Sequence, residues 1–458
     1  MPVSFVAALL LAQASTPALE QLPERSRDPL AIARAADPVI ALSRTTVPLP
    51  EFTALVQGVV ARSPAVDEGK AGIAEAQAAR AEARSGLRPI VDVGINAQQS
   101  FDREFSNDPD NIVERTRARG RTDLTVSVTQ VLFDFGAAAN RVAGAGARLR
   151  AAASQAEAEA DRVALRAIAA WYDVFAYRAL VSLGGAFTEN QQDLRSAIET
   201  RIASGVSAPG DLPRVESYIA SAQADLARYR RQLANAEARF EELYGVPAPA
   251  GIGRAPVIER PSTTKEAAQF LARSSPEVES AEAIARAAHR DARADRSSTF
   301  PSLGGAVDAG KYGIDRSDYD VRGRLILRHR IFGPGDARAD QSEARADAAD
   351  ARAARVRDEA EREAAIAWTD VRALEAQLAA LETSYISSRQ SRDVLAERFR
   401  VARGTLFDLL ETESSYFSVA ASYIRAITEL DASRYVLLSR TGQLLSALDI
   451  APPAPEAK

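Results

Sequence analysis

The apolar residues in the first half of the chain follow two periods, one typical of strands and one typical of long helices. In residues 91–97 the odd positions hold valine, isoleucine or alanine, and the even positions hold aspartate, glycine or asparagine. This alternation predicts a strand with one apolar and one polar side. Residues 124–132 alternate similarly with threonine and serine, so the two segments predict a β-hairpin. Residues 137–204 contain no proline and predict a single helix on the order of 100 Å long.

The long helix is predicted to end in a turn over residues 201–212 and to be followed by a helix that returns to Gly245. Its larger apolar residues have the 3-4 spacing of a coiled coil, at Leu165, Ile168, Tyr172, Phe175 and Ala179. No compact globular domain needs a helix of that length, so we expect it to span a distance.

The same succession occurs again in the second half of the chain. The Ser-Pro pair at Pro64 recurs at Pro276, and the two tryptophans, Trp171 and Trp368, lie at matching positions of the two copies. We expect both tryptophans to pack between helices rather than to stack on a ligand. The second copy predicts a hairpin that pairs residues 303–313 with residues 321–331. The chain is therefore predicted to be a tandem duplication of a strand hairpin and a helical hairpin.

Arginines alternate with apolar residues along the last predicted strand, at Arg322, Arg324 and Arg328. If the apolar side meets lipid, these arginines line a lumen; a solvated face beside the extracellular loops is the alternative. Four strands cannot close a barrel, and open sheet edges are not tolerated in lipid. Several chains must then contribute strands, and three chains would give twelve.

The ends of the chain and the segment between the copies differ in composition from the repeats. The first residues form an apolar run that ends in a small-x-small pattern at Ala14, which predicts a secretory signal peptide, although no Lys or Arg precedes the run. Residues 15–50 hold six prolines and are expected to be poorly ordered. The predicted divisions are a signal peptide (1–14), a proline-rich N-terminal extension (15–50), a first repeat (51–245), a linker (246–262), a second repeat (263–450) and a disordered tail (451–458).

Composition excludes several classes of function. The chain of 458 residues has no cysteine, only two histidines and a net charge of −5, so it offers no thiol chemistry and no basic surplus for nucleic acid. His289 and His329 form no metal or nucleophile pattern with their sequence neighbours. We expect no catalytic residues, no cofactor and no metal site, and we predict that the protein is not an enzyme.

Three motifs, duplicated and in order, carry a resemblance. They are the strand end Gln130-Val-Leu-Phe-Asp134, the first turn Arg201-x3-Gly205-x5-Asp211, and the second turn from Arg398 through Gly404 and Asp408 to Glu413. Over roughly residues 51–450 the chain resembles the TolC-like family of outer-membrane efflux and type I secretion channels. The resemblance implies a mainly α fold with a membrane β-barrel: a homotrimer with a twelve-stranded barrel in outer-membrane lipid and a periplasmic helical tunnel. It also implies the outer membrane of a Gram-negative bacterium as the location.

The resemblance further implies that the two turns contact a periplasmic membrane-fusion (adaptor) protein, through Arg201, Gly205, Asp211, Arg398, Gly404 and Asp408. One departure is that Ala402 stands where the second turn should hold a glycine, and Gly404 lies two places further on. We predict positive φ angles at Gly205 and Gly404.

The carboxylates of the second turn suggest a constriction. Asp408 and Glu411 lie about one helical turn apart, and threefold symmetry would place them in rings at the periplasmic mouth that select permeants by charge. The alternative role for Asp211 and Asp408 is helix capping and interaction with the helix dipole.

The predicted function is a passive exit duct of a tripartite exporter. The second turn is most similar to family members that serve type I protein secretion, which implies an inner-membrane ABC transporter as the pump. The alternative is a duct for small molecules or drugs that works with an RND-type pump. A soluble coiled-coil scaffold is an alternative of a different class, and it leaves the four alternating strands unexplained.

Overall fold

The computed structural model describes residues 37–44, 46–102, 104, 119–258, 264–313 and 319–455, together with residues 23, 26, 29, 32 and 34. The predicted signal peptide, most of the N-terminal extension and the tips of both strand hairpins lie outside the described residues. A short helix, α1 (Pro38–Ala41), precedes the first copy. The elements of the first copy are α2 (Leu49–Arg62), α3 (Pro64–Ser85), β1 (Ile90–Gln99), β2 (Gly120–Phe133), α4 (Ala137–Ala203) and α5 (Asp211–Tyr244). Those of the second copy are α6 (Lys265–Ala272), α7 (Pro276–Ser297), β3 (Ser302–Tyr312), β4 (Tyr319–Arg328), α8 (Gly335–Arg400) and α9 (Leu406–Arg440), followed by α10 (Leu444–Ala447).

The two copies match element by element. Helices α3 and α7 are both 22 residues long, and each begins with a proline, which is tolerated at the first helical position because the N–H there has no partner in the helix. The long helices α4 and α8 have 67 and 66 residues, and the returning helices α5 and α9 have 34 and 35. None of the described helices combines the length and the apolar character needed to cross a bilayer.

The described strands form one antiparallel sheet in the order β1-β2-β3-β4. Both predicted hairpins are present, and in addition β2 pairs with β3, with Val128 opposite Val307. The second hairpin begins and ends earlier than predicted, at Ser302–Tyr312 and Tyr319–Arg328.

The register of the sheet separates an apolar face from a polar face. One row across the four strands reads Val93, Val126, Ala309 and Val321. The neighbouring row reads Asp92, Ser127, Asp308 and Arg322. Because facing residues of an antiparallel pair lie on the same side of the sheet, the predicted alternation continues across all four strands. The apolar face is open in the single chain, with Val93 67% and Leu325 76% exposed.

The chain divides into two compact units. One contains the residues up to Glu68, Ala156–Pro276 and Arg357–Pro453, and the other contains Gly69–Gln155, Glu277–Val356 and the C-terminal end. The sheet lies in the second unit, and both helical turns lie in the first.

The largest buried cluster belongs to the first unit and includes Trp171. This indole is 5.4 Å from the ring of Phe52 and 6.0 Å from that of Phe240, measured between ring centroids. Its Nε1 donates a hydrogen bond of 2.9 Å to the carbonyl oxygen of Gly253. Trp368 packs in a second cluster with Val371 and other residues, so both tryptophans pack between helices as predicted.

The expectation of poor order is wrong for the last part of the N-terminal extension. Asp37 caps α1 through hydrogen bonds from the backbone N–H groups of Val39 and Ile40, at 2.9 and 3.0 Å. Val39, Ile40 and Leu42 are buried in the same cluster as Trp171. The prolines suggested disorder, but a good N-cap followed by three apolar side chains is sufficient to seat this short segment.

Candidate functional site: the two helical turns and the polar face of the sheet

The first turn ends α4 in a Schellman motif. Gly205 has a φ of +74°; its N–H donates to the carbonyl of Ile202 (3.0 Å), and the N–H of Val206 donates to the carbonyl of Arg201 (2.8 Å). Glycine adopts this left-handed conformation without steric cost, so the predicted positive φ at Gly205 is confirmed.

The second turn builds the same motif on an alanine. Ala402 has a φ of +58°; its N–H donates to the carbonyl of Phe399 (3.1 Å), and the N–H of Arg403 donates to that of Arg398 (2.8 Å). A left-handed alanine costs roughly 1–2 kcal/mol relative to a right-handed one. The second turn is therefore closed by hydrogen bonding in spite of local strain.

The predicted positive φ at Gly404 is wrong, because Ala402 already supplies the left-handed residue. Gly404 has a different constraint: a Cβ there would lie 3.1 Å from the backbone N of Phe399 and 3.3 Å from the backbone C of Arg398. The backbone after the turn runs so close to the end of α8 that only glycine fits without a shift.

Arg201 joins the first turn to the second. Its guanidinium carbon lies 4.5 Å from the centroid of the Phe399 ring, and its Nη1 donates to the carbonyl oxygen of Phe399 at 3.3 Å. Its Nε is 3.4 Å from the hydroxyl of Ser207. The matching residue of the second copy, Arg398, is exposed. The two arginines therefore have different surroundings.

The carboxylates of the two turns lie in the first turns of their helices. Asp211 is the first residue of α5, whose N-cap, Gly210, makes no side-chain cap. The N-cap of α9 is Thr405, whose Oγ1 accepts from the backbone N–H of Asp408 at 3.1 Å. Capping by the Asp408 carboxylate is therefore wrong, whereas its position still lets it interact favourably with the helix dipole. Asp408 and Glu411 are both exposed, and their spacing places them on one face of α9.

The turns also carry an apolar surface that sequence reasoning missed. Val206, Val401 and Phe407 are each about half exposed, and the guanidinium of Arg214 lies 5.6 Å from the Phe407 ring centroid. Beneath them the ends of the four long helices pack in one cluster, formed by Leu194, Ile198, Val215, Ile219, Ala396, Phe399, Leu406, Leu409 and Leu410. Exposed apolar side chains over a firm core are typical of a protein contact site. Val206, Val401 and Phe407 each lie within three residues of Gly205, Ala402 or Gly404 in the sequence. An apolar residue this close to a polar turn is the sequence feature that could have revealed the surface.

The polar face of the sheet holds the three arginines of β4, as the alternation predicts. Arg324 and Asp308 form an ion pair with a distance of 2.5 Å between Nη2 and Oδ2. Arg322 is paired with Asp320 on its own strand, and Arg328 stands opposite Ser302. This face therefore presents charged side chains of both signs.

A buried polar cluster between α8 and α9 was also missed. Arg392 is bonded to Asp393 at 2.7 Å, and the fully buried Glu413 accepts from Asn190 at 3.3 Å. The hydroxyls of Tyr385 and Tyr416 are 3.1 Å apart. Burial raises the pKa of Tyr416 to about 12 and raises that of Tyr385 further. In the sequence Arg392, Asp393 and Glu413 lie among polar residues like those of an exposed helix face, so nothing local indicates that they are buried.

The described part of the chain contains no cluster of three or more histidine, cysteine, aspartate or glutamate side chains suited to a metal ion.

A family profile and a curated relative both identify this chain as similar to outer membrane efflux proteins. The profile of the family described as "Outer membrane efflux protein" matches residues 55–246 and 268–443, one range in each copy. The outer membrane efflux protein BepC of Brucella suis biovar 1 is 23% identical over 362 residues, which cover 74% of this chain and 78% of that protein.

Solved structures share the fold. The outer membrane protein VceC from Vibrio cholerae has a TM-score of 0.75 at 18% identity, over 87% of this chain and 96% of that one. The CmeC outer membrane channel of Campylobacter jejuni has a TM-score of 0.74 at 13% identity, over 85% of each chain.

Proposed function

The chain belongs to the outer membrane efflux protein family, and from this premise we propose that it is the passive exit duct of a type I protein secretion system. The family match over both copies and the TolC-like fold make it an outer-membrane efflux channel with a periplasmic helical tunnel. The family assignment leaves no role for the alternative of a soluble coiled-coil scaffold.

The main support for the proposed duct is the sheet, which has one apolar and one polar face. Its apolar face exposes residues such as Val93 and Leu325, and its polar face carries Asp308 and the arginines of β4. In the described residues β1 and β4 are edge strands, and lipid does not tolerate unpaired edges. In the proposed homotrimer, β1 of one chain pairs with β4 of the next, which closes twelve strands into a barrel. Arg322, Arg324 and Arg328 then line its lumen, and the apolar face meets outer-membrane lipid.

The two helical turns are the proposed contact with a periplasmic membrane-fusion protein. The predicted contact residues are Arg201, Gly205, Asp211, Arg398, Gly404 and Asp408. The exposed apolar surface at Val206, Val401 and Phe407 supports this location, because removing these side chains from water favours the binding of a partner. The left-handed Ala402 and the exposed Arg398 make the second turn different from the first, so we expect the adaptor to bind the two turns differently.

Asp408 and Glu411 are the proposed constriction at the periplasmic mouth. Three copies would place two rings of carboxylates around the threefold axis, and such rings favour cations. The duct itself does no covalent chemistry, and its transport is driven by the inner-membrane pump.

The choice of cargo rests on the second turn, whose residues Leu406–Glu411 resemble those of type I secretion members. An ABC transporter is then the expected pump. Small-molecule efflux with an RND-type pump is the second candidate, and the family match is compatible with either cargo.

Two experiments test these proposals in turn. The first extracts the native protein from fractionated membranes and measures its mass, its heat-modifiability and its conductance in planar bilayers. A heat-modifiable trimer that conducts supports the duct, and a soluble or monomeric product contradicts it.

The second experiment compares a deletion strain with its parent. It measures the secreted proteome and the susceptibility to toxic small molecules of both strains. Loss of secreted proteins supports type I secretion, and hypersensitivity alone supports the efflux alternative.

A further inference from the structure

The carboxylate of Asp37 joins the N-terminal segment to helix α8. Besides capping α1, it accepts hydrogen bonds from the hydroxyl of Tyr385, at 3.1 and 3.0 Å to Oδ1 and Oδ2. Nη1 of Arg389 lies 2.5 Å from its Oδ2. Asp37 is fully buried and Arg389 nearly so. A buried carboxylate is stable only when its partners are in place, so this contact is either fully made or strongly unfavourable.

The contact extends from α8 to α9 and further along α8. The Tyr385 hydroxyl also lies 3.1 Å from that of Tyr416 on α9, whose ring centroid is 4.4 Å from the guanidinium carbon of Arg392. Arg392 in turn donates to the carbonyl oxygen of Pro23 at 3.0 Å, and the N–H of Ser26 donates to Asp393 at 3.1 Å. The N-terminal segment is thus hydrogen-bonded to three successive turns of helix α8, in the part of that helix that leads to the loop between α8 and α9.

Within the part of the chain that the structure describes, the α4–α5 hairpin has no equivalent cluster at the matching positions. Thr188 stands where the second copy has Tyr385, and its hydroxyl donates a hydrogen bond of 2.8 Å to the carbonyl oxygen of Gly184 within its own helix. Arg195 stands where the second copy has Arg392; it is 41% exposed and paired with exposed glutamates, whereas Arg392 is 2% exposed. The buried cluster is therefore a specialisation of the α8–α9 hairpin and not a requirement of the duplicated fold.

The same segment is anchored at its other side to the body of the first unit. Val39, Ile40 and Leu42 belong to the buried cluster that contains Trp171 and Phe240. The same cluster also contains Tyr385 of α8 and Tyr416 of α9. A shift of the α8–α9 hairpin relative to α4 and α5 must therefore separate Asp37 from its partners on α8, or pull the three apolar side chains away from Trp171 and Phe240.

We propose that residues 37–42 form a latch that restrains the α8–α9 hairpin, and that seating of Asp37 on Tyr385 and Arg389 opposes widening of the mouth lined by Asp408 and Glu411. This inference rests on the channel function proposed above and adds a regulatory element to the same site. The second turn follows the latched part of α8, so movement of that turn and release of the latch are coupled through one helix. Opening then requires a partner whose binding compensates for the broken contacts of Asp37.

The test measures single-channel conductance of wild type, Asp37→Asn, Tyr385→Phe and Glu51→Gln in planar bilayers. Asp37→Asn weakens the bond to a charged partner and should raise the ratio of open to closed times roughly tenfold. Tyr385→Phe removes a single hydroxyl and should raise it by about threefold. Glu51 is exposed on α2, close in sequence to the latch, so Glu51→Gln is the matched control for charge loss and should conduct as wild type.

The outcomes separate the latch from the channel. If the wild-type trimer forms no pore, the proposed function fails. If wild type conducts and both latch variants form trimers with wild-type gating, the latch is overturned. Should Asp37→Asn fail to assemble, Tyr385→Phe decides alone, because it preserves the shape of the side chain. Failure of both variants to assemble would make the segment purely structural and also overturn the latch.

Discussion

The guanidinium of Arg201 lies 4.5 Å from the centroid of the Phe399 ring and donates to the carbonyl oxygen of the same residue. One arginine of the first turn thereby contacts both the side chain and the backbone of the residue that precedes the second turn. The matching arginine, Arg398, is exposed instead. Of these two matching arginines, the one in the first copy makes the contact between the turns.

Arg201→Ala should loosen the second turn. It removes a cation–π contact and a hydrogen bond, together worth about 1–2 kcal/mol, so backbone amides of residues 399–405 should exchange hydrogen faster. Hydrogen exchange followed by mass spectrometry measures this rate, and Arg398→Ala is the matched control. Equal exchange in both variants would show that Arg201 does not hold the second turn.

Exchanging glycine and alanine between the two turns should have opposite effects. Ala402→Gly relieves a left-handed alanine and should raise the free energy of unfolding by about 0.5–1 kcal/mol, since the more flexible unfolded chain offsets part of the gain. Gly205→Ala should lower it by about 1 kcal/mol. Denaturant unfolding of the trimer measures both changes, and changes of equal sign would contradict the left-handed geometry of one turn.

Gly404→Ala should be destabilising for a different reason. Its new Cβ would press on the backbone at Phe399 and Arg398, so the turn must shift, which costs about 1–3 kcal/mol. The same unfolding measurement detects this change, and the effect should persist in an Ala402→Gly background. Loss of the effect in that background would mean that strain at Ala402, and not contact with α8, sets the requirement for glycine.

Neutralising the proposed constriction should weaken block by divalent cations. Asp408→Asn and Glu411→Gln each remove three charges from a trimer, so the blocking concentration should rise by about threefold or more. Single-channel recording with added divalent cation measures the block. Asp211→Asn, which removes a carboxylate from the other turn, should leave it unchanged. Unaltered block in Asp408→Asn would remove this residue from the mouth.

The trimer should lose stability in alkaline solution. Burial raises the pKa of Tyr416 to about 12, above the usual value near 10. Because the pKa of Tyr416 is higher in the folded protein than in the unfolded chain, the protonated hydroxyl contributes to the free energy of unfolding. This contribution is complete below pH 10 and is lost as the pH rises toward 12. The loss for this tyrosine is about 2–3 kcal/mol. Denaturant midpoints between pH 9 and 12 measure it, and Tyr416→Phe should decline less steeply than wild type.

The sequence predicts well those features whose cause is local. Pro64 and Pro276 begin matching helices, alternation defines the two faces of the sheet, and Gly205 takes the left-handed position after α4. Each follows from backbone sterics or from side-chain period, which neighbouring residues reveal.

The features that the sequence does not predict depend on distant partners. Asp37 is buried by Tyr385 and Arg389, more than 300 residues away, and its surroundings in the sequence resemble a disordered segment. The pairing of Val128 with Val307 joins the two copies in one sheet, although each hairpin alone satisfies its own pattern. At Ala402 the hydrogen bonds of the turn override the steric preference of the residue.

The unpaired edges of β1 and β4 have a genetic consequence. Each subunit of the proposed trimer supplies a third of the barrel wall and borrows its edge partners from two neighbours. A copy that assembles but carries a defective strand opens the wall of every trimer it joins. When such an allele is expressed equally with wild type, only about one trimer in eight is free of it if subunits mix at random. Strand mutations should therefore behave as dominant negatives, whereas alleles that prevent assembly altogether should be recessive.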